Sequence, residues 1–402
     1  MQKTPMARLS GLMFLEFFIW GSWSVTMGLV MQTRGLGPLI ANAASVGPIA
    51  SVVGSFVLGM VATRLLPPRT LLGLLHVAGG VLLFFAPALL KPETGNSFVL
   101  LLLCYMILYM PTVGLANTIA LKSLGERVNA FPFVRAFGTL GWIVAGLSIG
   151  WAGLSASPEI FRVAAGVSIM LGVYSLVLPS VAADEPGNDS LLRSIFCVEA
   201  FGLMRDRQFM IFIVCATLIS VPLALYYAYT SAYLGTLGIQ NVSGVMALGQ
   251  ISELCFMFSM PFLYRKFGVK PLLLAGMLAW TVRYALFAIS DGGSMIWAAY
   301  LGCVLHGVCY DFFFVAGAIY TSAIATPRGV NAQAQGMLTL FTYGVGMLLG
   351  SQIGGVLYAQ MPATPTVASW HAFWVYPAVA AAIIAAIFQM TFKNVGAKGD
   401  PA

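Results

Sequence analysis

The sequence predicts an all-α membrane protein with twelve transmembrane helices. Of its 402 residues, 59% are hydrophobic and only 8% are charged, which leaves too little polar surface for a soluble globular protein of this length. The apolar residues are grouped in runs of about 20, long enough for a helix to cross a hydrocarbon core roughly 30 Å thick. Twelve such runs can be counted, at residues 8–30, 43–65, 70–90, 97–121, 131–153, 160–178, 209–234, 242–264, 270–289, 294–322, 331–358 and 370–392.

The lysine and arginine residues predict that both termini are cytoplasmic. With the N terminus inside, fifteen of them lie in cytoplasmic connections, and only Arg34, Lys91 and Arg162 lie on the opposite side. This asymmetry is typical of the positive-inside rule. It also explains the formal net charge of +7, which therefore gives no indication of nucleic-acid binding. The first run lacks a cleavable signal's short apolar core, so it is predicted to be the first span.

The most polar interior segment divides the spans six and six. We predict an N-terminal six-helix bundle at 1–180, a cytoplasmic linker at 181–208, a C-terminal six-helix bundle at 209–392 and a cytoplasmic tail at 393–402. Two six-helix halves around a long linker are typical of the major facilitator fold, whose halves are parallel repeats that enclose a site near the membrane midplane. The loop from Gly59 to Arg69 departs from that superfamily, because Thr63 takes the usual acidic position.

Glu253 is the most informative residue inside a predicted span. A charge near the middle of a span costs at least roughly 2.5 kcal/mol, so it normally faces a cavity and has a partner or a proton. Gln250 lies three residues earlier and projects from the same helix face. We interpret the two as a polar ligand site beside a protonatable group.

Span 5 carries a second polar stripe. Arg135, Thr139 and Trp142 are spaced i, i+4 and i+7, which places a cationic donor, a hydroxyl and a flat aromatic ring on one face. Such a face suits a ligand with hydroxyl groups and a planar ring. The alternative is that Arg135 reaches back to the cytoplasmic edge as a charge that only sets orientation.

Four tyrosines in span 7 allow different interpretations. Tyr229 and Tyr233, near the outer end, are expected in an aromatic belt at the membrane interface. Tyr226 and Tyr227 lie deeper, where they either line the site or pack inside the bundle.

Spans 9 and 10 bring two opposite charges to a comparable depth. Arg283 and Asp311 are expected to neutralise each other as a structural ion pair, with Asp311 as a second proton carrier the alternative. His306 and Tyr310 are spaced i and i+4, so they could face the cavity together. Glu16 in span 1 could bind a proton, pair with Arg135 or stay protonated as a structural donor, and structural use is favoured.

The chain shows no metal triad, nucleophile elbow or phosphate loop. We therefore expect neither an enzyme nor a cofactor or metal. Five of the six cysteines fall in predicted spans and one in the central loop, so no disulfide framework is expected.

Seven short stretches in both halves are similar to those of a known family and occur in the same order. They are Trp20–Trp23, Tyr109–Thr118, Phe131–Gly141, Gln250–Glu253, Ala279–Ala288, Asp311–Phe313 and Ala334–Met337. The chain thus resembles the nucleoside:proton symporter family of the major facilitator superfamily, which are bacterial inner-membrane nucleoside permeases. The resemblance implies proton-coupled nucleoside uptake by alternating access, with Arg135, Thr139, Gln250 and Glu253 at the substrate.

The resemblance also identifies where this chain differs. Trp142 and Tyr310 stand at aromatic positions of the family pattern. Polar amides of span 7 are replaced around Ala224 and Tyr227, and His306 aligns with a tyrosine. These differences bear on which solute is carried.

The full expected site combines both lines of inference. The predicted substrate-binding residues are Arg135, Thr139, Trp142, Tyr227, Gln250, Glu253, His306 and Tyr310, and the proton-coupling candidates are Glu253, Asp311 and Glu16. The chain is expected to act as a monomer in the lipid bilayer of the bacterial inner membrane, with a nucleoside and a proton as its ligands. The alternatives are a major facilitator transporter of another polar solute, such as a sugar or a drug, and a membrane sensor that transports nothing.

Overall fold

The structure, a computed structural model, describes residues 6–57, 66–181 and 197–393. All regular elements in these ranges are helices. Eleven segments are long and apolar enough to cross a membrane, and the longest of them, Pro92–Trp151, contains two successive helices, which makes twelve spans. The prediction of an all-helical chain with twelve spans is confirmed. Most of the loop motif, of the linker and of the tail lies outside the described residues.

The spans are labelled α1 to α12 in chain order. Their bounds are Met6–Thr33, Ile40–Val57, Pro68–Leu89, Gly95–Leu124, Phe131–Trp151, Glu159–Val177, Arg207–Thr236, Val242–Phe267, Val269–Ile289, Ile296–Arg328, Asn331–Tyr358 and Val367–Thr391. Helices are favoured because a helix satisfies its own backbone N–H and C=O groups in a medium without water.

Local sequence chemistry sets several helix ends. The Asp206 carboxylate caps α7 by accepting hydrogen bonds from the backbone N–H groups of Gln208 and Phe209, at 2.9 and 3.2 Å. Thr366 and Ser369 form a reciprocal capping box at the start of α12. Gly268 alone joins α8 to α9, with φ of +75°, a conformation that glycine adopts without steric cost.

Helix contacts divide the chain into two units. The first comprises Met1–Leu191 with Gln240–Ala247, and the second comprises Leu192–Ile239 with Leu248–Ala402. Within the first unit, α1 packs on α5 and α6, α3 packs on α4 and α6, and α2 packs on α4. Within the second unit, α9 packs on α10 and α12, and α7 packs on α11 and α12.

Tyr229 and Tyr233 are packed inside the second unit, so the prediction of an interfacial belt is wrong for both. Each has an exposed fraction of 0%. The Tyr229 ring stacks on Tyr358 with 5.4 Å between centroids, and the Tyr233 hydroxyl donates a hydrogen bond to the carbonyl oxygen of Phe287 at 2.9 Å. The two tyrosines lie on the face of α7 that packs against α9 and α11. The prediction used only their depth in the membrane, and depth does not indicate which way a helix face points.

Two of the spans in the second unit are irregular. In α10, the short helix His306–Tyr310 is followed by the π-helical turn Asp311–Val315, and α11 has a π-helical segment at Leu340–Gly346. Such turns shift the direction in which side chains project, and they recur at functional sites. The predicted functional residues of α10 all lie here: His306 and Tyr310 in the short helix, and Asp311 in the π-helical turn.

Candidate functional site

The polar stripe of α5 lies on one regular helix of the first unit. Arg135, Thr139 and Trp142 are each half-buried within Phe131–Trp151. The Arg135 guanidinium lies over the ring of Phe17 in α1, with Cζ 4.1 Å from the ring centroid, a cation–π contact. Arg135 is thus held against α1 at the polar face.

Glycines bring α1 and α5 together at this stripe. A Cβ at Gly141 would collide with the carbonyl oxygen of Phe14, and a Cβ at Gly21 would lie 3.2 Å from the backbone of Trp142. The close approach sets the Trp20 and Trp142 rings edge to face, with 5.5 Å between centroids. Trp142 is therefore positioned by α1 as well as by its own helix.

The indole N–H of Trp142 is buried and has no hydrogen-bond acceptor among the described residues. An unpaired buried donor costs about 1 to 3 kcal/mol. A solute with an acceptor at this point would remove that cost. The stripe therefore has an unsatisfied donor of its own to offer a ligand.

Glu16 is paired with His76 rather than with Arg135. Its Oε2 lies 2.9 Å from His76 Nε2, and its Oε1 lies 2.6 Å from the Thr112 hydroxyl. Both Glu16 and His76 are fully buried. Sequence reasoning missed His76, although a histidine inside an apolar run indicates a buried imidazole that needs a partner.

In the second unit, Glu253 of α8 faces His306 of α10. Glu253 Oε2 lies 3.7 Å from His306 Nε2, and the two side chains are 15% and 1% exposed. The Tyr227 hydroxyl, from α7, lies 3.4 Å from the same nitrogen. Gln250 lies one turn before Glu253 and is largely buried, while the Tyr310 ring lies 5.7 Å from that of His306.

A glycine allows α8 and α10 to approach at this point. A Cβ at Gly307 would collide with the backbone of Ser252 and lie against the backbone nitrogen of Glu253. A Cβ at Gly249 would lie 2.9 Å from the Cβ of His306. The carboxylate and the imidazole meet because the two backbones come this close.

Arg283 does not pair with Asp311, so the predicted ion pair is wrong. The Arg283 Cζ lies 3.3 Å over the ring centroid of Tyr226, and its Nη1 lies 3.2 Å from His306 Nδ1. Both Arg283 and Asp311 are 0% exposed, and neither carboxylate oxygen of Asp311 has a hydrogen-bond partner in the described chain. The prediction relied on the comparable depth of the two residues, which does not determine the helix face on which each lies. The Tyr226 ring, and not the Asp311 carboxylate, contacts the guanidinium.

The contact with Arg283 fixes the tautomer of His306. A guanidinium has only donors, so His306 Nδ1 must accept, and the ring hydrogen is on Nε2. That hydrogen is directed toward Tyr227 and Glu253. A second ring proton would set an N–H against the N–H of a cation, so His306 is held neutral as a donor toward Glu253.

Asp311 is a buried carboxyl group to which none of the described residues donates a hydrogen bond. An ionised carboxylate in an apolar interior is far more costly than a neutral carboxylic acid. Its site in the π-helical turn therefore favours the protonated form. This arrangement fits the alternative drawn from the sequence, in which Asp311 carries a proton.

Comparisons with known proteins find relatives over nearly the whole chain. The family model for the nucleoside H+ symporter matches residues 3–396. YegT of Escherichia coli K12 is 34% identical over 96% of this chain and 94% of its own length, and the nucleoside permease NupG of the same organism is 28% identical over 96% and 95%.

The solved structures show the fold. A crystal structure of the nucleoside transporter NupG superposes with a TM-score of 0.86 at 29% identity and covers 98% of this chain and 100% of that one. A bacterial homologue of the human lysosomal transporter Spinster has a TM-score of 0.69 at 14% identity, covering 99% and 98%, and shares the fold. The predicted major facilitator fold is confirmed. The chain belongs to the nucleoside H+ symporter family.

Proposed function

We propose that this chain takes up nucleosides together with protons across the bacterial inner membrane by alternating access. Membership of the family and the similarity to NupG over its whole length support a nucleoside as the solute. The observation that carries the proposal is Glu253, a carboxyl group inside a span that is 15% exposed and faces the ring of His306 at 3.7 Å. It is thus a partly exposed acid that lies beside an imidazole.

Glu253 is the proposed carrier of the coupled proton. As a carboxylate it is stabilised by the Nε2–H of His306, which lies within reach of a small side-chain movement. As an acid it no longer needs that donor. Because Arg283 holds His306 neutral, protonation changes the charge of this cluster by one instead of moving a proton between partners. Asp311 is the proposed second carrier, since its buried carboxyl group lacks donors.

The proposed solute contacts divide by chemistry. Arg135, Thr139 and Gln250 supply hydrogen-bonding groups for ribose hydroxyls and base edges, while Trp142 and Tyr310 supply flat faces for a base. The unpaired indole N–H of Trp142 supports an acceptor on the solute. A nucleoside offers both the hydroxyls and the planar ring that such a set requires.

Tyr227 and His306 are proposed to supply polar solute contacts within the second unit. Tyr227 is half-buried and His306 is buried, and the Tyr227 hydroxyl lies 3.4 Å from His306 Nε2, the nitrogen that faces Glu253. A solute hydroxyl there would exchange hydrogen bonds with the same groups that respond to protonation of Glu253. Solute binding and proton binding would then depend on each other.

The test is uptake of labelled uridine and adenosine into proteoliposomes, with and without an imposed inward proton gradient. We expect accumulation above equilibrium only with the gradient, and its loss when a protonophore is added. Unlabelled nucleosides, free bases and free ribose then compete against uridine. Competition by free ribose as strong as by uridine would contradict the nucleoside assignment and favour a sugar carrier, and absence of any accumulation would contradict coupled transport.

A further inference from the structure

The first unit contains a buried pair of titratable groups that the proposed function does not use. Glu16 in α1 and His76 in α3 are 0% and 1% exposed, and Glu16 Oε2 lies 2.9 Å from His76 Nε2. We propose that Glu16 and His76 form a further proton-binding site, in which one exchangeable proton is bound at Glu16 Oε1 and donated to Thr112. The role of this site in transport rests on the proposed function, whereas its binding of a proton does not.

Hydrogen bonds on the far side of the imidazole fix one of its protons. The Ser168 hydroxyl donates to the carbonyl oxygen of His76 at 2.8 Å, and the same Oγ lies 3.1 Å from His76 Nδ1. A hydroxyl has a single hydrogen, which here goes to the carbonyl. Ser168 must therefore accept from the ring, and His76 Nδ1 carries a hydrogen.

One further hydrogen lies between the ring and the carboxyl group. Because Nδ1 is protonated, the 2.9 Å contact to Glu16 holds either imidazolium and carboxylate or neutral imidazole and carboxylic acid. Both arrangements have zero net charge. A neutral pair is the form that a fully buried site favours.

Thr112 provides room for an additional proton. Its hydroxyl lies 2.6 Å from Glu16 Oε1 and 2.6 Å from the carbonyl oxygen of Tyr109, and its one hydrogen can go to either. When it donates to Glu16, Oε1 is a bare acceptor. When it donates to Tyr109, Oε1 must carry a hydrogen of its own and donate to Thr112. Rotation of one hydroxyl thus lets the pair accept a proton without movement of any heavier atom.

The other charged and titratable groups around the pair have contacts of their own or are phenols. On α5, Arg135 lies over Phe17, next to Glu16 in α1. The Tyr174 hydroxyl of α6 donates to the carbonyl oxygen of Arg8, and Arg8 and Arg69 donate to the carbonyl oxygens of the last residue of α6 and of the residue after it. On α4, Tyr105 and Tyr109 are buried phenols, which stay neutral in the physiological pH range.

The pair is connected to the polar face of α5. The Tyr109 hydroxyl donates to the backbone carbonyl oxygen of Glu16 at 2.6 Å, and the Tyr109 ring lies 5.7 Å from Trp20. Trp20 in turn lies 5.5 Å from Trp142. A change in hydrogen bonding at Glu16 and Thr112 therefore reaches the proposed solute face through packed side chains of the same unit.

The test is infrared difference spectroscopy of the protein in lipid between about pH 8 and about pH 5.5, a range in which exposed carboxylates stay largely ionised. We expect the carbonyl band of a newly protonated carboxyl group in the wild type. Glu16→Gln should lose the component of the band that comes from Glu16. That component should persist in Glu253→Gln, which removes only the contribution of Glu253, and in Glu159→Gln, a control at an exposed acid paired with Arg162. Thr112→Val should shift its frequency, because the acid loses its acceptor, whereas a purely structural threonine would leave it in place.

Identical difference spectra for the wild type and Glu16→Gln would overturn the proposal. If Glu16→Gln does not fold, Thr112→Val and His76→Gln decide, since the proposal requires the band to change in both. Uridine uptake by the same samples separates this result from the proposed function. If the Glu16 component of the band is lost in Glu16→Gln and the wild type shows gradient-driven uptake, both the proton site and the proposed function are supported. If the wild type shows no uptake, only the transport assignment is contradicted.

Discussion

Two buried ionisable side chains, Arg283 and Glu16, contact hydrogen-bonding and aromatic groups. Arg283 rests on the Tyr226 ring at 3.3 Å and bonds His306 at 3.2 Å. Glu16 bonds His76 and Thr112. For Glu16, the contacts with a histidine and a hydroxyl suit the proton binding proposed above.

The Arg283 assignment predicts the outcome of two double-mutant cycles. Arg283→Met and Tyr226→Leu should be coupled by about 1 to 2 kcal/mol, because either change removes the same cation–π contact. Arg283→Met and Asp311→Asn should be additive within about 0.5 kcal/mol, since they share no direct contact. The measurement is unfolding of the purified variants in detergent. A larger coupling energy of Arg283 with Asp311 than with Tyr226 would contradict this assignment and support an ion pair between Arg283 and Asp311.

The unpaired indole of Trp142 predicts different effects on stability and on binding. Trp142→Phe should leave unfolding unchanged or slightly stabilise the protein, because the lost N–H has no partner there. Uridine affinity should fall about fivefold, corresponding to about 1 kcal/mol for one hydrogen bond. Trp142→Ala serves for comparison and should weaken uridine further by removing the flat face. Unchanged affinity in Trp142→Phe would show that the solute does not use this donor.

At the scale of elements, the site of the second unit depends on the meeting of α8 and α10. The helix break before His306–Tyr310 and the π-helical turn that follows set the projection of three functional side chains. Gly307 then lets the backbone of α8 approach. In a regular, straight α10, the side chains of His306 and Asp311 would project in directions different from those seen here.

Substitution of Gly307 tests this element. Gly307→Ala should destabilise the protein by about 1 to 3 kcal/mol and reduce uptake, because the added methyl group pushes α8 away. The matched control is Gly166→Ala in α6, where a Cβ meets nothing within 4 Å, and it should be neutral or stabilising by up to about 1 kcal/mol. Thermal unfolding and uridine uptake of both variants would be compared. Equal behaviour would contradict a close α8 and α10 approach.

The elements themselves followed from hydropathy, whereas side-chain partners did not. All twelve spans were predicted because a lipid environment forces apolar runs into helices. The stripe of α5 was predicted because spacing along one helix defines a face. The Arg283 pairing failed because it needed the relative rotation of two helices, which depends on packing. His76 was missed for the same reason, since its acid lies 60 residues earlier in the chain.

At the scale of the whole molecule, each unit contributes a distinct chemistry. The first holds the cationic and aromatic stripe of α5 with the Glu16 and His76 pair, and the second holds Glu253, His306 and Asp311. The similarity to NupG extends over both. Nucleoside binding and proton binding are therefore expected to be properties of the complete chain.

The central claim is that solute and proton move together through Glu253. The direct measurement is internal pH in proteoliposomes that contain a trapped pH-sensitive dye and are given an inward uridine gradient without any imposed proton gradient. We expect internal acidification in the wild type, and none in Glu253→Gln, which should still exchange labelled uridine because the amide keeps the shape of the site. Acidification by Glu253→Gln equal to that of the wild type would contradict the account.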